Sequence, residues 1–386
     1  MKFVAKFLRV SLGMASAIAL FPGASLAQHY TQTNLVSDIP GMAPVTDPNL
    51  VNPWGLTRSS GGPWWVSDNN SGLSTLYTGA GAIIPINGNG KVIIQPPKNA
   101  PAGATGTPTG IVFNSSPDFV LPAPNGKPAA FIFVTEDGTI SGWNGGPSDF
   151  PAVDNNDNGS PNGAVYKGAT SAVNNGTRYL YVTNFRAARV EVYDTLFKPV
   201  HLSDDAFDPD GDGDHDRDDQ NAQHIPRGFA PFNIQNIGGS LFVTYAKQDS
   251  ARHDDTPGDG NGFVEIFTPA GKHIGHLQHG SWLNSPWGVV WTPRDFGVFS
   301  NTILVGNFGS GWIAAFNGFT YKFIGFVQNT DGSLMTIDGL WSLTFGNGGS
   351  AGPSTTLFFS AGHDHETHGL FGTITPLSTE NDGSVE

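Results

Sequence analysis

An aspartate-rich stretch between residues 208 and 219 carries the clearest metal-binding pattern in the 386-residue sequence. Carboxylates stand at loop positions 1, 3, 5, 7, 9 and 12 and Gly213 at position 6, as in the twelve-residue loops that bind Ca²⁺. The predicted calcium ligands are Asp208, Asp210, Asp212, Asp214, Asp216 and Asp219. Position 12 holds an aspartate where the longer glutamate is usual, which predicts weak binding of a structural ion. A solvated acidic loop is the alternative.

Three histidines gather with two acidic residues in the segment 363–368. On an extended segment His363 and His365 point to the same side, so they could chelate Zn²⁺ or Cu²⁺ while Glu366 or His368 completes the site. Imidazoles also serve as general acids and bases, which makes His363 and His365 candidate catalytic residues. An ordinary polar loop explains the segment as well. A second run, interpreted as an exposed polar stretch, comprises His273, His276 and His279.

The composition indicates which elements position these groups. The chain has 51 Gly and 28 Pro but also 9 Trp, 8 Tyr and 27 Phe, so it is too aromatic to be disordered and too rich in helix breakers to be helical. Many short strands joined by tight turns account for both facts, and we predict an all-β fold. The sequence has no cysteine, which excludes disulfides, cysteine-bound metals and a cysteine nucleophile.

One strand pattern recurs six times along the chain. In each copy an apolar run follows a shorter strand and precedes a polar or glycine-rich turn; the six runs are 64–68, 131–136, 180–184, 241–245, 303–307 and 357–361. Spread over residues 28–376, the copies have roughly 60 residues each, room for a four-stranded blade. We therefore predict a six-bladed β-propeller of four-stranded antiparallel blades, with the acidic stretch inserted at about 204–223. A pair of β-sandwiches or a solenoid is the competing architecture.

A propeller of this kind brings the ends of its second strands to one face, here called the top face. The residues at these ends are Asp68, Glu136, Asn184, Tyr245, Asn307 and Ala361. Converging carboxylates and amides could hold a second divalent cation in the channel or orient a ligand hydroxyl. Glu136 is the candidate catalytic residue of this set, and capping of local turns is the alternative role for all of them. The candidate ligand-binding residues are Asp68, Asn184, Tyr245 and Asn307.

Tryptophans begin three of the innermost strands, at Trp54, Trp287 and Trp341, and the first two lie in a repeated Pro-Trp-Gly sequence. Indoles around the top mouth of the channel would form an aromatic rim suited to sugar rings, so we include them among the predicted ligand-binding residues. The alternative is that they wedge neighbouring blades together, as a repeated packing element would.

The first 27 residues have the form of a signal peptide. A basic start precedes an apolar stretch at 10–21 that is too short to span a bilayer, and small residues lead up to Ala27. Cleavage there predicts a secreted or periplasmic protein, and we expect a flexible tail at 377–386. The formal net charge of −14 argues against nucleic acid as a partner. We expect a monomer without a transmembrane segment that takes a small-molecule or glycan ligand.

Motifs spread over most of the chain carry a family resemblance. They are NPWGL at 52–56, FIFVTEDGTISGW at 131–143, LYVTNFRAARVEVYD at 180–194, GFAPFNIQNIGGSLFVTYAKQD at 228–249, PWGVV at 286–290, LVGNFGSGWIAAF at 304–316 and HGLFGTITP at 368–376. They resemble an uncharacterised family of exported bacterial propeller proteins, many with a PEP-CTERM sorting tail, although residues 381–386 have no apolar tail. The resemblance implies a propeller and export, but no activity. More distantly, the blades are similar to NHL-repeat and gluconolactonase-type propellers, and the latter hold an ion in the channel with a similar set of carboxylates and amides.

Two functions follow from these expectations. The first is an exported binding or surface module with a ligand or metal site on the top face and a stabilising calcium ion in the acidic loop. The alternative is a metal-dependent extracellular hydrolase, lactonase or lyase for a small or carbohydrate-like substrate, in which His363 or His365 moves a proton. Glycine-rich phosphate loops and serine-nucleophile elbows are absent from the sequence. The fold alone does not choose between the two.

Overall fold

The computed structural model describes residues 29–157, 160, 162–209 and 225–377. Within them the chain is a six-bladed β-propeller, which confirms the architecture predicted from the repeats. Neighbouring blades touch through their innermost strands, and the last blade touches the first, so that the blades form a ring around a central channel. Among the described residues, no helix has the length and hydropathy needed to cross a membrane.

The strands of each blade follow one another from the channel outwards. In chain order they are β1 (Tyr30–Ser37), β2 (Val45–Thr46), β3 (Pro53–Arg58), β4 (Trp64–Asp68), β5 (Leu73–Tyr77), β6 (Lys91–Ile93), β7 (Pro108–Phe113), β8 (Phe131–Thr135), β9 (Thr139–Trp143), β10 (Phe150–Asp154), β11 (Tyr166–Asn174), β12 (Thr177–Asn184), β13 (Arg189–Tyr193), β14 (Pro199–Val200), β15 (Phe229–Ile237), β16 (Ser240–Lys247), β17 (Gly262–Phe267), β18 (His273–His276), β19 (Pro286–Trp291), β20 (Thr302–Asn307), β21 (Ile313–Asn317), β22 (Phe323–Phe326), β23 (Leu340–Phe345), β24 (Leu357–Ala361) and β25 (Leu370–Pro376). Blades 1 to 5 are β3–β6, β7–β10, β11–β14, β15–β18 and β19–β22. Blade 6 has the order β23-β24-β25-β1-β2. Short 3₁₀ turns lie at Ile86–Gly88 and Gly297–Phe299.

Both faces of a blade are buried, and the strand sequences show why. Successive side chains of a strand point to opposite faces, so Trp64 and Val66 pack against blade 6 while Trp65 packs against blade 2. In the described part of the chain, an apolar layer of this kind fills each interface between neighbouring blades. A strand buried on both faces has a continuous apolar sequence, which is the signal that locates the second strands.

The ring closes non-covalently through β1. Residues 30–37 pair antiparallel with residues 370–376 of β25, which makes β1 the fourth strand of blade 6. The side chains of Tyr30 and Val36 are buried, and the Tyr30 hydroxyl donates to the Phe296 carbonyl oxygen of blade 5 at 2.8 Å. Both ends of the propeller chain are thereby fixed in one sheet, an arrangement that the repeat pattern does not reveal.

Every innermost strand has a β-bulge near its start, at the top face. A bulge inserts an extra residue into the strand and re-aims a side chain. The glycine that often follows lets innermost strands approach each other. A Cβ on Gly55 would lie 2.5 Å from the Thr109 carbonyl oxygen, and one on Gly288 would lie 2.6 Å from that of Trp341. The repeated Pro-Trp-Gly sequence therefore combines a strand start, a bulged side chain and a close contact between blades.

Candidate functional site at the top mouth of the channel

The bulges of the innermost strands place one side chain per blade at the top of the channel. In blade order these residues are Trp54, Thr109, Lys167, Phe232, Trp287 and Trp341. All of them are buried. Four are aromatic, Thr109 donates to backbone carbonyl groups, and Lys167 alone is charged. At these equivalent positions of the six blades most side chains are thus aromatic, and Lys167 contributes the single positive charge.

The aromatic side chains form a closed plug, defined here as Trp54, Phe185, Phe232, Trp287, Phe308 and Trp341. The rings of Trp54 and Trp341 stack with centroids 3.5 Å apart, and Phe308 stacks on Trp341 at 3.9 Å. Trp287 meets both indoles edge-on. The predicted aromatic rim of Trp54, Trp287 and Trp341 therefore needs correction, because the indoles are at most 4% exposed and fill the channel instead of surrounding an open mouth. Packing accounts for them, as the alternative expects.

Lys167 is only 1% exposed and lies beside the plug. Its ammonium donates to Glu136 Oε1 and, at 3.3 Å, to Asp254 Oδ1, and it lies 5.0 Å from the centre of the Trp54 ring. Burial alone would lower the pKa of Lys167, but the carboxylates of Glu136 and Asp254 outweigh burial and raise it. A full positive charge is therefore held inside the top of the channel.

Glu136, His253 and Asp254 form a polar group next to this ammonium. Their ligand atoms lie within 4.8 Å of one another, which is close enough for a shared metal ion. His253 Nδ1 is 2.8 Å from Asp254 Oδ1, and this hydrogen bond raises the pKa of His253 and lowers that of Asp254. Because the Lys167 ammonium already binds both carboxylates, a cation here would meet a like charge at short range. The Lys167 ammonium thus competes for these carboxylates with the second divalent cation predicted for the channel.

Glu366 brings a different kind of carboxyl group to the same mouth. Its Oε2 accepts a hydrogen bond from Asn52 Nδ2 at 2.8 Å. Burial raises the pKa of Glu366 to about 7; the charge of Glu136 acts in the same direction, and that of Lys167 opposes it. A pKa of about 7 suits a general acid or base at neutral pH, because the carboxyl can gain or lose a proton there at little cost.

The loop that carries Glu366 has an unusual backbone. Asp364, His365 and Glu366 have φ angles of 52°, 54° and 65°, so three consecutive non-glycine residues lie in the left-handed region. Each costs of order 1 kcal/mol, and surrounding contacts must hold the turn. Asn70 Nδ2 donates to the Glu366 carbonyl oxygen at 2.6 Å, and the Glu366 N–H donates to the Gly362 carbonyl oxygen at 3.2 Å. Strained turns of this kind are concentrated at functional sites.

Of the six residues predicted to meet at the top face, the structure brings only Glu136 close to Lys167 and His253. Asp68, Asn184 and Asn307 instead accept hydrogen bonds from the backbone N–H groups of Thr75, Ala187 and Asn284, and of these three bonds the one to Asn184 caps a local turn. Tyr245 packs in the apolar layer between blades 3 and 4. The ligand-binding role predicted for these four residues therefore finds no support in their geometry.

The reason is a shift of one residue. In the strand register, Asp68, Asn184 and Asn307 are equivalent to Thr135 and not to Glu136. Successive side chains of a strand point in opposite directions. The residue after each of these strand ends therefore points to the channel. The set that follows is Asn69, Glu136, Phe185, Ala246, Phe308 and Gly362. Several of these residues lie in the buried cluster of the plug, and the Asn69 amide donates to Glu136 at 2.8 Å.

The histidines of the Glu366 loop do not converge on one point. His363 Nδ1 lies 3.2 Å from Asp338 Oδ2. His368 Nδ1 lies 2.7 Å from Asp38 Oδ2, and His365 is exposed. In the described part of the chain they belong to no group that could share a metal ion. Chelation by His363 and His365 is unsupported because the left-handed turn replaces the extended segment on which it was based, and their acid–base role stays a prediction.

The predicted calcium loop falls almost entirely outside the described residues. Asp208 is described and is half-buried. The other predicted ligands, Asp210, Asp212, Asp214, Asp216 and Asp219, lie outside, as do the signal peptide and all but the first residue of the predicted tail. Calcium binding and export therefore stay predictions.

Sequence reasoning missed Lys167, although the repeat contains a signal for it. Once the bulges are matched, the tripeptide at 166–168 aligns with Pro-Trp-Gly at 53–55. Lys167 then stands out as a charge at a position that three other blades fill with an indole. His253 and Glu366 carry no such signal, because loops of blades 4 and 6 bring them to the mouth.

Glu366→Gln is expected to stabilise the protein at alkaline pH. The folded state holds a proton on Glu366 up to about pH 7, whereas the unfolded chain releases it near 4.5, so stability falls as pH rises through this window and stays lower above it. The difference corresponds to at most about 3 kcal/mol, and glutamine removes it. Thermal unfolding should show the variant to be more stable than the wild type at pH 8 and equal to it at pH 4. Equal stability at pH 8 would contradict a raised pKa.

Comparisons with known proteins give relatives without an assigned activity. No protein-family model matches the sequence. The uncharacterised protein R648 of Acanthamoeba polyphaga mimivirus is 29% identical over 357 residues, covering 88% of this chain and 78% of the viral protein. The uncharacterised protein R640 of the same virus is 32% identical over 281 residues, which is 71% of this chain but only 48% of R640, so the chain spans about half of that relative. These relatives are viral, and a bacterial family with a sorting tail stays a prediction.

Solved structures similar to this chain include lyase and gluconolactonase propellers. Virginiamycin B lyase from Staphylococcus aureus has 11% identity and a TM-score of 0.44, covering 90% of this chain and 98% of the lyase. A gluconolactonase from Xanthomonas campestris has 12% identity and a TM-score of 0.35, covering 70% of this chain and 86% of that enzyme. Similarity at this level supports no statement about activity.

Proposed function

We propose that the top mouth is an acid–base site for a small hydroxyl-bearing molecule and that the protein is an extracellular enzyme of the hydrolase, lactonase or lyase class. One observation carries the proposal: the buried ammonium of Lys167 is held by Glu136 and Asp254 at a ring position where three other blades have tryptophan. Burying an ion pair costs several kcal/mol in desolvation, and a well-packed apolar residue is often at least as stabilising. A lysine at this position is better explained by a site than by packing.

The groups at the mouth take three roles. Glu366, half protonated near neutral pH, is the proposed proton acceptor. His253, whose pKa is raised by the hydrogen bond to Asp254, is the proposed proton donor. Lys167 is too buried to touch a substrate, so it acts as a positioning residue that holds the Glu136 and Asp254 side chains in place.

The chemistry of the mouth limits the substrate. Asn70 is exposed beside Glu366 and offers an amide group for hydroxyl recognition, whereas the buried Asn52 holds the Glu366 carboxyl in place. The net charge of −14 disfavours anionic substrates. The cavity below the plug measures only about 40 Å³, which suffices for little more than water, so the substrate must rest on the mouth. A neutral ring with several hydroxyl groups, such as a sugar lactone, fits these limits.

Turnover of a panel of neutral sugar lactones by the mature protein, followed by pH-stat titration, tests the proposal. We expect Glu366→Gln to lower kcat by roughly 100-fold or more and to remove a pH transition near 7, because the proton acceptor is lost. Asp295→Asn, an exposed carboxylate on the loop between β19 and β20 at the opposite face, is the matched control and should keep its full rate. Equal rates in the wild type and Glu366→Gln would overturn the proposal.

An exported binding or surface module is the second candidate, favoured by the closed plug. Because the aromatic side chains fill the channel, a ligand meets a shallow surface, which suits recognition of a glycan end as well as catalysis. In that case the calcium predicted for residues 208–219 acts as a stabiliser only. Saturable binding of the same sugars without turnover, abolished by Glu366→Gln, would favour this candidate over the enzyme.

A further inference from the structure

Two outer strands of blade 4 bring together a glutamate and two histidines that form a group separate from Glu136, His253 and Asp254 at the top mouth. Glu265 lies in β17, and His273 and His276 are the first and last residues of β18. Glu265 pairs directly with His276, and Phe267 pairs with His273. The sequence alone suggested an exposed polar stretch here.

A bulge explains why the two histidines share a face. In a regular strand, residues three apart point to opposite sides of the sheet. The register of β18 shifts between Gly275 and His273, so that Ile274 is left unpaired and 49% exposed. This shift places both imidazoles on the side of the sheet where Glu265 lies.

The geometry of the three side chains is that of a ligand set. One ligand atom from each residue lies within 4.8 Å of the others. His273 Nε2 is 2.7 Å from Glu265 Oε2, and the two imidazole rings are nearly parallel, with an interplanar angle of 10° and centroids 6.4 Å apart. The Glu265 side chain is fully buried, whereas that of His273 is 22% exposed. The carboxylate is thus fixed in the blade, and the imidazoles lie between it and solvent.

We propose that Glu265, His273 and His276 bind a divalent transition-metal ion of the Zn²⁺ type. Two imidazole nitrogens and one carboxylate oxygen are ligands that Zn²⁺ prefers, and three protein ligands leave a fourth position for water. Ca²⁺ and Mg²⁺ need more oxygen ligands than this group offers. The ion joins the four-residue outer strand β18 to β17 and stabilises the edge of blade 4.

The neighbouring His279 provides a matched control. It continues the same three-residue spacing, yet its Nε2 donates to the Gly260 carbonyl oxygen at 3.0 Å, and its ring stacks on Phe263 at 4.3 Å. It is not part of the group that could share an ion. A histidine-rich segment that bound metal without a defined site would use His279 as readily as His276.

Isothermal titration of the metal-free mature protein with Zn²⁺, and with Co²⁺ as a spectroscopic probe, tests the site. We expect one equivalent that is weakened by more than about 100-fold in His276→Gln and retained in His279→Gln. Glu265→Gln should behave like His276→Gln, but the half-buried His276 is the safer test because its replacement leaves the buried carboxylate in place. Unchanged binding in His276→Gln, or loss of the equivalent in His253→Gln instead, would overturn the proposal, and the latter would assign the ion to the top mouth.

Discussion

Lys167→Met is expected to lower the free energy of unfolding by about 3–5 kcal/mol, measured by urea denaturation near pH 7. Methionine removes the ammonium but leaves the Glu136 carboxylate, whose side chain is only 12% exposed, without its counter-charge. Asp254 loses the same partner. The cost arises mainly from a carboxylate that stays buried and unpaired, since the stem of methionine still packs beside Trp54.

A second substitution separates this cause from a simple packing defect. In Lys167→Met/Glu136→Gln a neutral amide replaces the buried carboxylate, so we expect the double variant to recover more than half of the loss. Arg178→Met is the control: its ion pair with Asp118 is 3.3 Å long but about a third exposed on both sides, and its loss should cost less than about 1 kcal/mol. If Lys167→Met lies within about 1 kcal/mol of the wild type, the Lys167 ammonium is not the counter-charge that Glu136 needs, and its role as a positioning residue fails.

The blades could be predicted from the sequence because their second strands are buried on both faces. A run such as 303–307 is apolar at every position but its end, and the structure has β20 at Thr302–Asn307. The innermost strands were harder to place. In blade 3, β11 begins at Tyr166 and includes Lys167, ahead of the β-forming run Ala-Thr-Ser-Ala-Val at 169–173. Because the bulge interrupts the alternation of side chains there, the sequence pattern does not indicate that Lys167 points to the channel like the bulged residues of the other blades.

The site was less predictable than the fold, for two physical reasons. In a strand a shift of one residue reverses the direction of every side chain, so equating Asp68 with Glu136 instead of Thr135 assigned the wrong residues to the channel. Moreover, other residues of the site come from loops of other blades: His253 from blade 4 and Glu366 from blade 6. Their convergence depends on the closed ring and not on any spacing within a repeat.

Removal of residues 29–46 is expected to abolish the cooperative folding of the propeller. The truncated chain loses β1 and β2, which leaves the edge of β25 unpaired and exposes the apolar layer between blades 5 and 6. Full burial of side chains such as Tyr30 and Val36 contributes roughly 1.5–3 kcal/mol each, and the backbone hydrogen bonds to β25 are lost as well. A loss of at least about 5 kcal/mol is comparable to the whole stability of many domains. Thermal unfolding followed by circular dichroism should show no cooperative transition.

A synthetic peptide of residues 29–46 should restore that transition when it is added to the truncated chain, because it carries the whole of β1 and pairs with the free edge of β25. The matched control is the same peptide with Tyr30→Ser and Val36→Ser, which keeps the backbone donors and acceptors but loses both buried side chains. Rescue by the first peptide alone would show that closure depends on the apolar contacts of β1 with its neighbours. A truncated chain that unfolds cooperatively at the wild-type temperature without any peptide would contradict closure through β1 and would make the ring self-sufficient from residue 47 onwards.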